Sequence, residues 1–162
     1  GKANLTVESE ANIAFFVNTT GWGNGSVNTE GDYAELDTNA GTVTGGSWNT
    51  NSQPLVLHNI GNTAVSLDLN ADADADGFIG GTQGGGPLYQ LRAENNESTS
   101  CSSLTNFDNT YEDLTTSPTE VCSNLAYDSS TNSMNFDIYL RVPSDASSGT
   151  KSSIITASAT SV

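Results

Sequence analysis

Leu55-Val-Leu-His-Asn-Ile-Gly-Asn-Thr-Ala-Val-Ser-Leu-Asp-Leu69 holds two runs of alternating apolar and polar residues, with Gly61 and Asn62 between them. A side-chain period of two marks a half-buried strand, and Gly with Asn is turn chemistry. The stretch therefore predicts a β-hairpin whose second arm buries Val65, Leu67 and Leu69. Downstream the alternation returns strictly in Met134, Phe136, Ile138, Leu140 and Val142. A turn follows at Val142-Pro-Ser-Asp-Ala-Ser-Ser-Gly-Thr150, and then a closing strand over 154–159. Between these, 87–93 reads as a strand with Tyr89 and Leu91 facing inward, and 33–44 as one or two short strands through Tyr33, Glu35 or Leu36, and Val43.

Upstream, Asn4-Leu-Thr-Val-Glu-Ser-Glu-Ala-Asn-Ile-Ala-Phe-Phe-Val17 puts Leu5, Val7, Ala11, Ile13, Phe15 and Val17 on one face. That predicts a long terminal strand, free to leave its own sheet and complete a neighbour's. Residues 1–18 are thus set apart as a donor strand, and 19–162 as one domain that opens on a Gly/Asn-rich turn region around Trp22. Seven to nine strands at this spacing favour an all-β fold: an antiparallel sandwich of immunoglobulin-like or jelly-roll type, rather than a closed barrel.

An insertion at about 94–133 lacks strand alternation and is too long for a structureless loop in a compact domain. Leu104, Phe107, Tyr111 and Leu114 have helical spacing, and Ser117-Pro118-Thr119-Glu120 resembles a capping box with proline at the first helical position. These predict short helices, pinned by a Cys101–Cys122 disulfide. No second CxxC or His cluster suggests zinc instead. Closing that loop contributes about 3 kcal/mol in the chain-entropy account, and the bond persists in an oxidising compartment.

The 162 residues carry a formal charge of −15, with Lys2, Arg92, Arg141 and Lys151 the only fixed cations. A nucleic-acid backbone or an anionic lipid surface would repel such a molecule, so neither is an expected partner. Four Asn-x-Ser/Thr sequons, at Asn4, Asn18, Asn24 and Asn96, join the cysteines in pointing to the cell exterior and to glycans. The chain opens on Gly1 and has no apolar run near 18 residues, so a processed form without membrane insertion is expected.

The best candidate for chemistry is Asn70-Ala-Asp-Ala-Asp-Ala-Asp-Gly77, in which Asp72, Asp74 and Asp76 alternate before a glycine. Three carboxylates on a tight loop suit calcium, which takes six to eight oxygen ligands. The EF-hand pattern then fails, because the twelfth position from Asp72 is Gln83. A calcium loop on a β-scaffold and a solvated linker are the two readings. His58 stands alone in a strand, and no nucleophile elbow, zinc-protease, P-loop or dinucleotide motif occurs, so an enzyme is not expected. Trp22, Trp48 and Tyr33 could stack on sugars, although aromatics in a sandwich more often pack its core or rim.

The unit LHNIGNTAVSLDL followed by DIYLRVPSDASSGTKSSIITASA resembles secreted archaeal β-sandwich proteins. With a terminus that begins as a strand, the arrangement is also similar to the TasA/camelysin class of fibre proteins and to archaeal bundling pilins. The resemblance implies an extracellular filament or pilus built from copies of one chain, joined by donor-strand complementation. The rivals are a monomeric, calcium-stabilised surface or adhesin domain and a carbohydrate-binding module.

Overall fold

The computed structural model describes residues 2, 4–28 and 32–162. Its larger sheet is built on the eleven-residue strand β9 (Ser133–Pro143). β6 (Leu88–Asn95) pairs along one side of β9, and the two-residue β7 (Glu112–Asp113) adds to β6. The other side of β9 is shared. β4 (Leu55–Asn59) takes its first half and β2 (Tyr33–Asp37) its second, and β1 (Ile13–Val17) and β3 (Thr42–Thr44) extend the two branches. At the fork Ile138 donates its N–H to Thr38 Oγ1 at 2.8 Å, while Thr38 N–H donates to the Ile138 carbonyl. A side-chain hydroxyl thus supplies the ladder bond that is lost where one partner strand gives way to the next.

The smaller sheet has β5 (Val65–Ala71) between β8 (Thr119–Leu125) and β10 (Ile155–Ser161). All these strand pairs are antiparallel. The two sheets share one core. Met134, Phe136, Ile138 and Leu140 of β9 face Val65, Leu67 and Leu69 of β5, with Val121 and Leu125 of β8 beside them, all buried. The alternation read in the sequence therefore does what it predicted, placing every second residue inside.

Three expectations are corrected. The 55–69 stretch is not a hairpin, because β4 and β5 lie in different sheets. Both runs present their odd-numbered residues to the same core, so they face each other across it rather than pairing edge to edge. The helices expected in 94–133 do not form; between the end of β6 and the start of β9 the segment is irregular apart from β7 and β8. Its apolar residues are separated by Ser, Asn, Asp and Thr, which bond locally and compete with helix, and Phe107 and Asn109 sit at positive φ. The capping-box pattern instead runs into β8, whose first two residues are its Thr119 and Glu120, and Val121 and Cys122 then enter the core. The bond between Cys101 and Cys122 is present, at 2.05 Å.

The terminal strand is shorter than expected. Only Ile13–Val17 is strand, on the edge of β4 in its own chain, where Ile13 and Phe15 pack against the core. Residues 8–12 form a strap over the 59–62 turn. Ile60 and Gly61 donate their N–H groups to the Asn12 carbonyl, Asn62 N–H to the Glu10 carbonyl, and the Asn62 amide to the Glu8 carbonyl. Ahead of the strap, Leu5 and Val7 are 89% and 76% exposed.

Candidate assembly interface

Three strands cannot cover a seven-stranded sheet, and the consequence lies between the layers. A cleft of about 1000 Å³ opens there, floored by Leu36, Leu55, Ile138, Leu140 and Val142 of the larger sheet. Its walls are the Gly/Asn/Ser-rich segment 18–27 and the connection 144–154 between β9 and β10. A narrower seam of about 270 Å³ continues from it between β1 and β10, lined by Ile13, Phe15, Leu57, Ile155 and Ala157. The inward residues of β10 are Ile155, Ala157 and Ala159, mostly small, which is why the seam stays open.

Edge chemistry is asymmetric in the smaller sheet. Segment 100–105 lies along the outer edge of β8: Ser102 N–H donates to the Asn124 carbonyl, Thr105 N–H to Val121 and Ser123 N–H to Ser103, and the disulfide staples the two together. β10 has β5 as its sheet partner on one side and none on the other among the described residues. Its sequence, Ile-Thr-Ala-Ser-Ala-Thr-Ser, contains no Lys, Glu or Pro to blunt that edge. An unprotected edge over an apolar seam is a template for another strand.

The walls of the cleft are held by two carboxylates. Asp145 accepts from the N–H groups of Gln83 and Thr82 and from the Thr82 hydroxyl, and these bonds hold it below the usual carboxylate range. Asp72 accepts from Ile154 N–H and the Ser153 hydroxyl and is lowered for the same reason. Asp145 could have been suspected from its Pro-Ser-Asp turn; its loop partner 62 residues away could not. Two buried polar atoms on the 18–27 wall, Thr20 Oγ1 and Trp22 Nε1, have no hydrogen-bond partner. Among the described residues lining the cleft, Lys151 is the only charged one.

The other residues singled out in the sequence are dispersed. Asp74 caps a four-residue helix, α1 (Ala75–Phe78), by accepting from Gly77 N–H, while Asp72 is turned to Ser153 and Ile154. Among the described residues no three His, Cys, Asp or Glu side chains gather as a metal site. His58 lies against Phe16 with ring centroids 4.1 Å apart. Trp22 is buried in the cleft wall and Trp48 is packed against Gly25 and Gly46, whereas Tyr33 lies on the outer face of the larger sheet under Arg141. These three aromatics share no common platform. All four sequon asparagines are exposed, although the Asn96 amide donates to Ser133 Oγ.

That outer face carries a polar network which sequence reasoning missed. Arg92 bridges Asp137 at 2.9 Å and Glu94 at 2.8 Å, Thr38 donates to Asp137, and Tyr111 and Tyr139 donate to Asp37 and Glu35. Burial raises the Asp137 pKa above its ordinary value, against the pull of the Thr38 hydroxyl and Arg92. Every carboxylate in the network has a donor, so it braces the forked sheet.

No protein-family model, curated protein or solved structure matches the chain. Among the described residues no helix is long and apolar enough to cross a membrane.

Proposed function

We propose that this chain is the structural subunit of an extracellular filament, joined head to tail by addition of its N-terminal segment to the next copy. One observation carries the reading: the projecting segment leaves one end of the sandwich and the unfilled cleft opens at the other, with the free edge of β10 running between them. β1 and β4 run between them. Ile13 and Asn59 sit at the strap end, while Val17 and Leu55 sit at the cleft end. A contact between different surfaces of identical subunits is heterologous, and where the rotation between copies does not close a ring it propagates as a fibre. The disulfide and the exposed sequons suit an oxidising, extracellular setting.

The immunoglobulin-like sandwich is the scaffold in this reading, and the partners are copies of the same chain. Electron microscopy and sedimentation of the full chain beside one lacking residues 1–9 test it. Threads from the first and dispersed particles from the second are the expected result. If the shortened chain still polymerises, assembly does not run through this segment. If neither forms threads under any salt or protein concentration, a monomeric surface domain takes the place of the filament.

A further inference from the structure

We infer that the cleft between the sheets, together with the free edge of β10, is the acceptor site for residues 4–9 of a second copy, while β1 stays in its own sheet. The inference rests on the filament reading and names which part of the terminus is exchanged and what receives it.

Four observations converge on that occupant. β1 is already used, since Ile13 and Phe15 pack on their own core and the 8–12 strap is tied to the 59–62 turn. Ahead of the strap, Leu5 and Val7 flank Thr6 and are the two most exposed large apolar residues described, and donation of 4–9 releases from the strap the bond between the Asn62 amide and the Glu8 carbonyl. Six extended residues span roughly 20 Å, about the length of the seven-residue edge of β10.

Side-chain sizes complement. The Ile155, Ala157 and Ala159 face leaves room beneath the edge that Leu and Val would fill. Polar groups complement as well. The cleft wall holds the unpartnered Trp22 indole N–H and Thr20 hydroxyl, and an added backbone brings carbonyl acceptors. So do charges. In a chain of net charge −15 the only charged residue among the described residues lining the cleft is the cation Lys151, and the incoming segment brings Glu8 on its polar face.

The test separates this inference from the filament reading. The receptor is the full chain carrying Leu5→Asp and Val7→Asp, which cannot donate; the probe is a synthetic peptide of residues 2–12, and the readouts are tryptophan fluorescence and calorimetry. Saturable binding is expected, with affinity at least tenfold lower for a peptide carrying the same two substitutions. Lys151→Glu in the receptor should weaken binding severalfold, and a Glu8→Lys peptide should restore it.

Because both donor side chains are exposed, the Leu5→Asp/Val7→Asp chain should melt at the wild-type temperature, so its loss of threads would not reflect misfolding. Threads without peptide binding would overturn the inference and leave the filament intact. Peptide binding without threads would uphold the acceptor site and overturn the filament. Peptide binding that ignores Leu5, Val7 and Lys151 would place the contact elsewhere and also overturn the inference.

Discussion

At the scale of single residues, Gly61 shows how tightly the N-terminal strap is set. A Cβ there would run into the Glu10 carbonyl oxygen and lie 2.9 Å from Asn12 N, both of them backbone atoms that cannot swing away. Gly61→Ala is therefore expected to lift the strap and cost on the order of 1–3 kcal/mol, as other overpacked sites do. Hydrogen exchange should localise the change to residues 8–12 and 59–62. Arg92 makes a second residue-scale case. Removing it leaves the Asp137 carboxylate, whose side chain is only 3% exposed, without a cation, which costs about 3–5 kcal/mol when a buried pair is broken. The sign of the pH effect follows from burial, which raises the folded pKa of Asp137 above its unfolded value. Its charged form is penalised above the folded pKa, and the penalty disappears as pH falls and the group protonates. The loss in Arg92→Ala, measured by urea denaturation, should thus be smaller at low pH than at pH 7. An equal loss at both would mean that packing of the arginine stem, and not charge, is what was removed.

At the scale of elements, the 144–154 connection depends on two carboxylates from which it cannot be separated. Asp145 and Asp72 have folded pKa values lowered by backbone and hydroxyl donors. The stabilisation they provide is fully present above the unfolded carboxylate pKa of about 3.9 and disappears as pH falls through the lower folded values. Acidification below that pKa should accordingly expose 144–154 to protease and to exchange before the core strands open. If the whole chain opens together, the connection is not an independent unit. Neither bond was legible in the sequence, because each joins loops more than 60 positions apart. What could be read was local: the alternation of β5, β6 and β9 gave their inward residues, a closing strand was legible where β10 lies, and the isolated cysteines gave the disulfide. Period-two patterning fixes which face is buried but not which strand lies beside it. That is why 55–69 looked like a hairpin and is instead two strands facing each other across the core. In 94–133 the spacing of Leu104, Phe107, Tyr111 and Leu114 arose from contacts to several different neighbours, which a helical template misreads. The cleft is a property of unequal sheet widths and has no local signal, whereas the apolar alternation that holds Leu5 and Val7, its proposed occupants, is legible in the sequence.

The disulfide acts between elements and molecule, since it staples segment 100–105 to β8 and leaves β10 as the open edge of the smaller sheet. Replacing both cysteines by serine should lower unfolding stability by about 3 kcal/mol. The same change frees the β8 edge, so irregular or branched association beyond simple threads is expected by microscopy. Unaltered threads from the double variant would mean that the backbone bonds of 100–105 hold without the staple.

For the molecule as a whole, charge sets the conditions under which subunits of the proposed filament would join. Each copy carries −15, and head-to-tail addition brings two such surfaces within a few Debye lengths, about 8 Å each at physiological ionic strength. Against this general repulsion the proposed contact sets a single attractive pair, Lys151 with Glu8. Screening weakens both, but the many-charge repulsion has far more to lose, while burial of Leu5 and Val7 is not screened at all. Raising sodium chloride from about 0.05 to 0.5 M should therefore lower the protein concentration needed for threads severalfold, as read by sedimentation. Charge reversal at Lys151 should leave that salt trend in place and shift the whole curve to higher protein concentration. Should salt instead dissolve the threads, ion pairs rather than buried apolar side chains hold the subunits together, and the contact must lie on a more highly charged surface than the cleft.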